Sequence, residues 1–124
     1  MKITTDLQQS EELKKIVPIT SADMYYMRLA LLDEYGPTPY AGKAYTPAGE
    51  IPCWSLSALM DLLPQPLEVE GHSYDLHINK ESDSSYYVYY SNNPYNSYID
   101  TSNNQDLIGA CVEMLRRLKE LNLI

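Results

Sequence analysis

Residues 74–79, Tyr-Asp-Leu-His-Ile-Asn, alternate large apolar and polar side chains, and residues 86–91, Tyr-Tyr-Val-Tyr-Tyr-Ser, follow after the polar stretch Lys-Glu-Ser-Asp-Ser-Ser. Alternation at a period of two marks a strand with two different faces, and two such runs joined by a short polar linker favour a β-hairpin. No other feature constrains the chain as strongly, because a register shifted by one residue turns every side chain to the opposite face. Tyr74, Leu76 and Ile78 form one face of the first strand, with Asp75, His77 and Asn79 on the other. Val88 is the one aliphatic residue of the second run. Its presence assigns Tyr86, Val88 and Tyr90 to the core side and leaves Tyr87 and Tyr89 outward beside Asp75 and His77. After a Ser-Asn-Asn-Pro turn, residues 95–101 form a third strand.

Two segments around this hairpin carry helical periodicity. In residues 51–66, Ser55 is a good N-cap, Trp54 and Leu59 are spaced as a hydrophobic staple, and Pro64 ends the helix, which predicts a helix over about 55–63. Leu56, Leu59, Met60 and Leu63 supply its buried face. A longer helix over about 104–121 has Asn103 or Asn104 as its cap and Asp106 at its positive end. Its stripe runs through Leu107, Ile108, Cys111, Val112, Leu115, Leu118 and Leu121. Arg116, Arg117 and Lys119 complement its negative end. Thr5 and Gln8 have capping-box spacing, and with Pro18 as a stop they predict an opening helix over about 6–16.

The remaining segments are less regular. Met24 to Leu32 combines strand-like alternation at Tyr25, Met27, Leu29 and Leu31 with good helix formers, and a strand is the preferred reading. Residues 36–52 hold four prolines and three glycines, which predicts a loop. The expected fold is α+β: one domain over 1–124, with a small antiparallel sheet of three to four strands and the helices packed mainly on one face.

A chain of 124 residues buries enough surface to fold without a disulfide or a metal. Cys53 and Cys111 form no C-x-x-C pair and are expected to be free, buried thiols. The first residues lack the apolar run of a secretory signal, and no apolar stretch approaches twenty residues, so a cytoplasmic protein without a membrane span is expected. The net charge is −8, and between Leu29 and Leu115 twelve Asp and Glu face two lysines, Lys43 and Lys80. That field repels phosphates and argues against nucleic acid as the partner of the tyrosines. No nucleotide-binding or EF-hand motif is present, and His72 and His77, five residues apart, fall on opposite faces of a continuous strand. No metal or other cofactor is expected.

The opening Thr-Thr-Asp-Leu-Gln-Gln-Ser-Glu-Glu-Leu-Lys-Lys-Ile, the Thr-Ser-Ala-Asp-Met-Tyr-Tyr after it, the central Ile-Pro-Cys-Trp-Ser-Leu-Ser-Ala-Leu-Met-Asp-Leu-Leu-Pro and the closing amphipathic helix form an ordered set. In that order they resemble a group of small proteins of unassigned activity encoded by gut Bacteroidales genomes and their phages or prophages. The resemblance implies a compact domain carried on a mobile element and transfers no catalytic residue.

Two functional readings follow from the residues. In the first, Tyr87, Tyr89, His77 and Asp75 form an outward patch that contacts a protein partner, making this a non-enzymatic binding or accessory domain. In the second, Cys53 at a helix N-terminus is a nucleophile served by His77 or His72, with Asp75 or Asp100 as the orienting group, in a cysteine-dependent hydrolase. The first is preferred, because cysteine is among the most often buried residues and the Cys-Trp likeness to papain-type enzymes extends over two residues only. Tyrosine's high strand propensity alone accounts for much of the tyrosine run.

Overall fold

The computed structural model describes residues 3–29, 34–42, 50–81, 83–93, 96–101, 104 and 106–124. In chain order these form α1 (Leu7–Leu13), a 3-10 turn (Ile19–Ser21), β1 (Met24–Leu29), β2 (Glu34–Ala41), β3 (Glu50–Cys53), α2 (Leu56–Leu62), β4 (Leu67–Val69), β5 (His72–Lys80), β6 (Tyr86–Asn93), β7 (Asn96–Asp100) and α3 (Leu107–Glu120). The fold is α+β with two antiparallel sheets, ordered β2-β1-β3 and β4-β5-β6-β7. Among the described residues no helix is long and apolar enough to cross a membrane.

The three helices fall close to their sequence-predicted places, with the caps of α1 and α3 corrected and α1 ending at Leu13 rather than near 16. α1 starts one residue later than its Thr-x-x-Gln spacing suggests: Asp6 is the N-cap, and Asp6 and Gln9 complete the capping box reciprocally. Thr5 instead shares a buried hydroxyl hydrogen bond with Ser10. The cap of α3 is Asp106 rather than Asn103 or Asn104; its carboxylate accepts from the amides of Ile108 and Gly109 and places a negative charge on the positive helix end. Asn104 instead pairs with Tyr86 at the start of β6, and its side chain packs so closely on Gly109 that a Cβ there would sit 2.8 Å from it. Ser55 caps α2 as expected.

The expected loop over 36–52 is corrected at both ends. β2 runs through Gly36, Pro37 and Pro39 to Ala41, β3 includes Pro52, and residues 43–49 lie outside the described residues. In the order β2-β1-β3 the prolines occupy the two edge strands, where a missing N–H removes no ladder bond on the open side. Between them, β1 buries Tyr26, whose hydroxyl donates to the Thr5 carbonyl at 2.8 Å.

α3 packs on β6 and against both α1 and α2, and α1 also packs on β3. Ile108, Cys111, Val112, Met114, Leu115 and Leu118 of α3 meet Val88, Tyr90 and Ile99 of the second sheet in the main core. Tyr26, Ile51 and Cys53 form a smaller cluster under the first sheet. Trp54 joins the two regions. Its ring is fully buried, its indole N–H donates to the Ser21 hydroxyl at 2.9 Å, and its backbone exchanges hydrogen bonds with Thr4 and Thr5. The next residue, Ser55, donates both its amide and its hydroxyl to the Asp23 carboxylate.

Truncating Trp54 empties a large buried volume and orphans the Ser21 contact, so Trp54→Ala is expected to lower stability by about 3–5 kcal/mol in denaturant melts. Trp54→Phe keeps much of the packing and is expected to lose well under half of that; equal losses would show that the ring volume does not carry the effect.

Candidate functional site

The linker between β5 and β6 sets which side chains reach the outer face. Asp83 accepts from the amide (3.0 Å) and hydroxyl (2.6 Å) of Ser85, Ser84 adopts a positive φ of 66°, and Glu81 and Ser85 close the loop through their backbones at 2.8 Å. These bonds hold the Asp83 carboxyl below its ordinary value, since they favour the ionised form. The resulting register pairs His77 with Tyr89, Asn79 with Tyr87, and Ile78 with Val88.

Three rings therefore stack on the outer face. His77 lies on Tyr89 with centroids 4.9 Å apart and planes 12° from parallel, and Tyr89 lies on Tyr87 at 5.4 Å and 27°. Asn79 donates to the Tyr87 hydroxyl at 3.0 Å, fixing the end of the ladder. Asp75 is exposed one step beyond His77 and accepts from the Gln65 side chain at 3.3 Å. Asp100 of β7 pairs with Tyr89 from the other side. The four residues expected to form the patch thus share a face. Asn79, which alternation places on this face, and Asp100, named in the sequence only for the catalytic alternative, join the patch. Their places follow from the same alternation once the β6–β7 register is known.

The inner face matches its assignment at two of three positions. Val88 and Tyr90 are fully buried, and the Tyr90 hydroxyl donates to the Pro64 carbonyl at 2.7 Å, so this hydroxyl is not stranded in the core. Tyr86 lies on the same face but is only half-buried, outside the main core cluster, with Lys80 Nζ 5.8 Å from its ring centroid.

The residues of the catalytic alternative do not converge. Cys53 is fully buried on β3 beside Tyr26 and Ile51, whereas His72 and His77 lie exposed on the other sheet. Burial pushes the Cys53 thiol up to about 11; Thr4 hydrogen bonding offsets this only in part, and Asp23 adds to it. Such a thiol carries almost no thiolate at neutral pH. Cys111, also buried, is pushed up to about 12. His72 and His77 are the odd-spaced residues of an unbroken strand, and among the described residues no cluster of three His, Cys, Asp or Glu could hold a metal.

Comparison with protein-family models, with curated proteins and with solved structures finds no match to this chain.

Alkylation of folded protein by iodoacetamide is expected to be slow at neutral pH and to accelerate only as pH approaches about 11 at Cys53. Because the folded pKa lies above the ordinary thiol value of 9.0, the unfolded chain releases protons first as pH rises. Stability is therefore expected to fall between about pH 9 and 11, which melts across that range would show. Rapid neutral-pH labelling would contradict the burial.

Replacing Tyr87 and Tyr89 together by serine is expected to cost at most about 1 kcal/mol each, through lost cross-strand contacts. Tyr90→Ala opens a core cavity and is expected to cost about 3–5 kcal/mol, with Tyr86→Ala between the two. Urea melts give the ranking. Equal losses at Tyr87, Tyr89 and Tyr90 would mean that both faces are covered.

Proposed function

We infer that this chain is a non-enzymatic protein-binding or accessory domain, and that the outer face of β5 and β6 is its contact surface. The observation that carries this reading is the His77–Tyr89–Tyr87 ladder on the sheet face turned away from Val88 and Tyr90, flanked by the exposed carboxylates of Asp75 and Asp100. Stacked rings offer apolar area at little entropic cost because their rotamers are already fixed, and their hydroxyls and imidazole supply hydrogen bonds at the rim. The acidic surroundings favour a partner of positive charge and disfavour nucleic acid. The resemblance to proteins of Bacteroidales and their phages supports an accessory role in a bacterium or its phage, acting in the cytoplasm. The burial of Cys53 and its separation from both histidines weigh against the hydrolase reading.

The test uses the Tyr87→Ser/Tyr89→Ser double variant, after its fold has been verified by circular dichroism and melting. Affinity capture from a Bacteroidales host is expected to recover a partner with the wild-type chain and to lose it with the double variant. Recovery of the same proteins by both chains would reduce the ladder to scaffold.

A further inference from the structure

The four edges of the two sheets are not equivalent, and one of them has a stretch that no strand among the described residues covers. β2 and β3, the edges of the first sheet, carry prolines. At β7, the Arg117 guanidinium of α3 donates to the outward carbonyl of Asp100 at 2.6 Å and takes up that acceptor of the edge. β4 covers its neighbour only in part: three residues pair with His72, Ser73 and Tyr74, and the chain then turns away. The next outward amide of β5, that of Leu76, is taken by the Gln65 side chain at 2.8 Å. Outward groups repeat every second residue, so the N–H and C=O of Ile78 and Lys80 lie on the same side, and among the described residues no strand pairs with them there.

We propose that this open stretch of β5, Ile78 to Lys80, takes up an extended segment of a partner protein as an added antiparallel strand, and that the segment alternates apolar and basic residues. The proposal rests on the protein-binding reading above and specifies its mode and partner chemistry. Main-chain bonds to Ile78 and Lys80 supply the pairing. Ile78, 37% exposed at the end of the inner face, offers an apolar contact to the residue opposite it. Residues opposite His77 and Asn79 project onto the outer face, where Asp75 is exposed and the ladder begins, and Glu81 and Asp83 follow just past the strand. Lys80 is the one Lys or Arg between Ala44 and Leu115 in sequence, and its ammonium is drawn toward Tyr86 of β6, away from the open edge. Charge also selects among occupants. A second copy of a chain with net charge −8 is repelled, whereas a basic segment is attracted.

The probe is a capped, fluorescein-labelled peptide alternating lysine and valine, followed by anisotropy at low salt. Saturable binding is expected, weakened at least about tenfold when the valine amides are N-methylated, and similarly by Ile78→Pro, which removes an outward N–H without touching the β5–β6 ladder. Should Ile78→Pro fail to fold, the N-methyl comparison decides alone. Equal binding of the methylated and unmethylated peptides would overturn strand addition while leaving the tyrosine face as the contact surface. Equal binding of a peptide with glutamate in place of lysine would overturn the charge preference. No binding of the lysine peptide to the wild type would overturn the proposal, with the capture comparison still deciding the protein-binding reading independently. Self-association in ultracentrifugation that is abolished by Ile78→Pro would assign the edge to a second copy and contradict it.

Discussion

The register of β5 against β6 is the constraint on which both the core and the candidate surface depend. Six consecutive pairs, from Asp75–Ser91 to Lys80–Tyr86, place Val88 and Tyr90 under the helices and His77, Tyr87 and Tyr89 on the opposite face. Hydrophobic burial favours this pairing because a one-residue slip would exchange two fully buried side chains for half-exposed ones. The turn reinforces it locally, since the Asp83–Ser85 hydrogen bonds and the positive φ of Ser84 define a loop of fixed length. β6 is then locked from its far side by Thr101, whose hydroxyl and amide engage Val88, and by the mutual backbone bonds of Tyr86 and Asn104.

A second junction joins this unit to the smaller sheet. Trp54 follows directly on β3 and precedes α2; its backbone is held by Thr4 and Thr5, and its ring enters the main core. Asp23, just before β1, receives the amide and hydroxyl of Ser55. The N-terminal segment, β1, β3 and α2 therefore converge within a few residues. The burial that makes Trp54 a structural anchor also encloses Cys53 beside it, and the same packing that suggests a reactive Cys-Trp pair in sequence leaves the thiol protonated.

The features legible in the sequence were those with a strong period or a strong stop. The stripe of α3, the alternation of residues 74–79 and the Ser55/Pro64 limits of α2 each report burial directly, and all three elements formed near their expected places. The caps shifted because Asp competes with Thr and Asn for the same orphan amides, and only the backbone geometry decides between them. β2 was hidden by its prolines, whose meaning reverses at an edge, and β4 by a three-residue length that leaves no measurable alternation. Tyr86 shows a further limit: period two assigns a face, but how far the core extends along that face is a tertiary property. The candidate surface was readable for the same reason as the core, since Tyr87, Tyr89, His77 and Asp75 occupy the complementary positions. Its open edge was not, because it depends on where β4 stops and where Gln65 and Arg117 reach.

The most direct test of the account is the β5–β6 register itself, measured by nuclear Overhauser effects in solution. The outward amides of Leu76 and Val88 make Leu76–Tyr90, Ile78–Val88 and Lys80–Tyr86 the pairs that exchange no hydrogen bonds. In such pairs the Cα atoms approach to about 4.5 Å and the facing Hα protons give strong cross-peaks. The expected result is strong Hα–Hα contacts between Leu76 and Tyr90, between Ile78 and Val88, and between Lys80 and Tyr86. Contacts of Ile78 with Tyr87 or Tyr89 instead would place the tyrosine ladder on the core side, contradicting both the packing and the candidate surface derived from it.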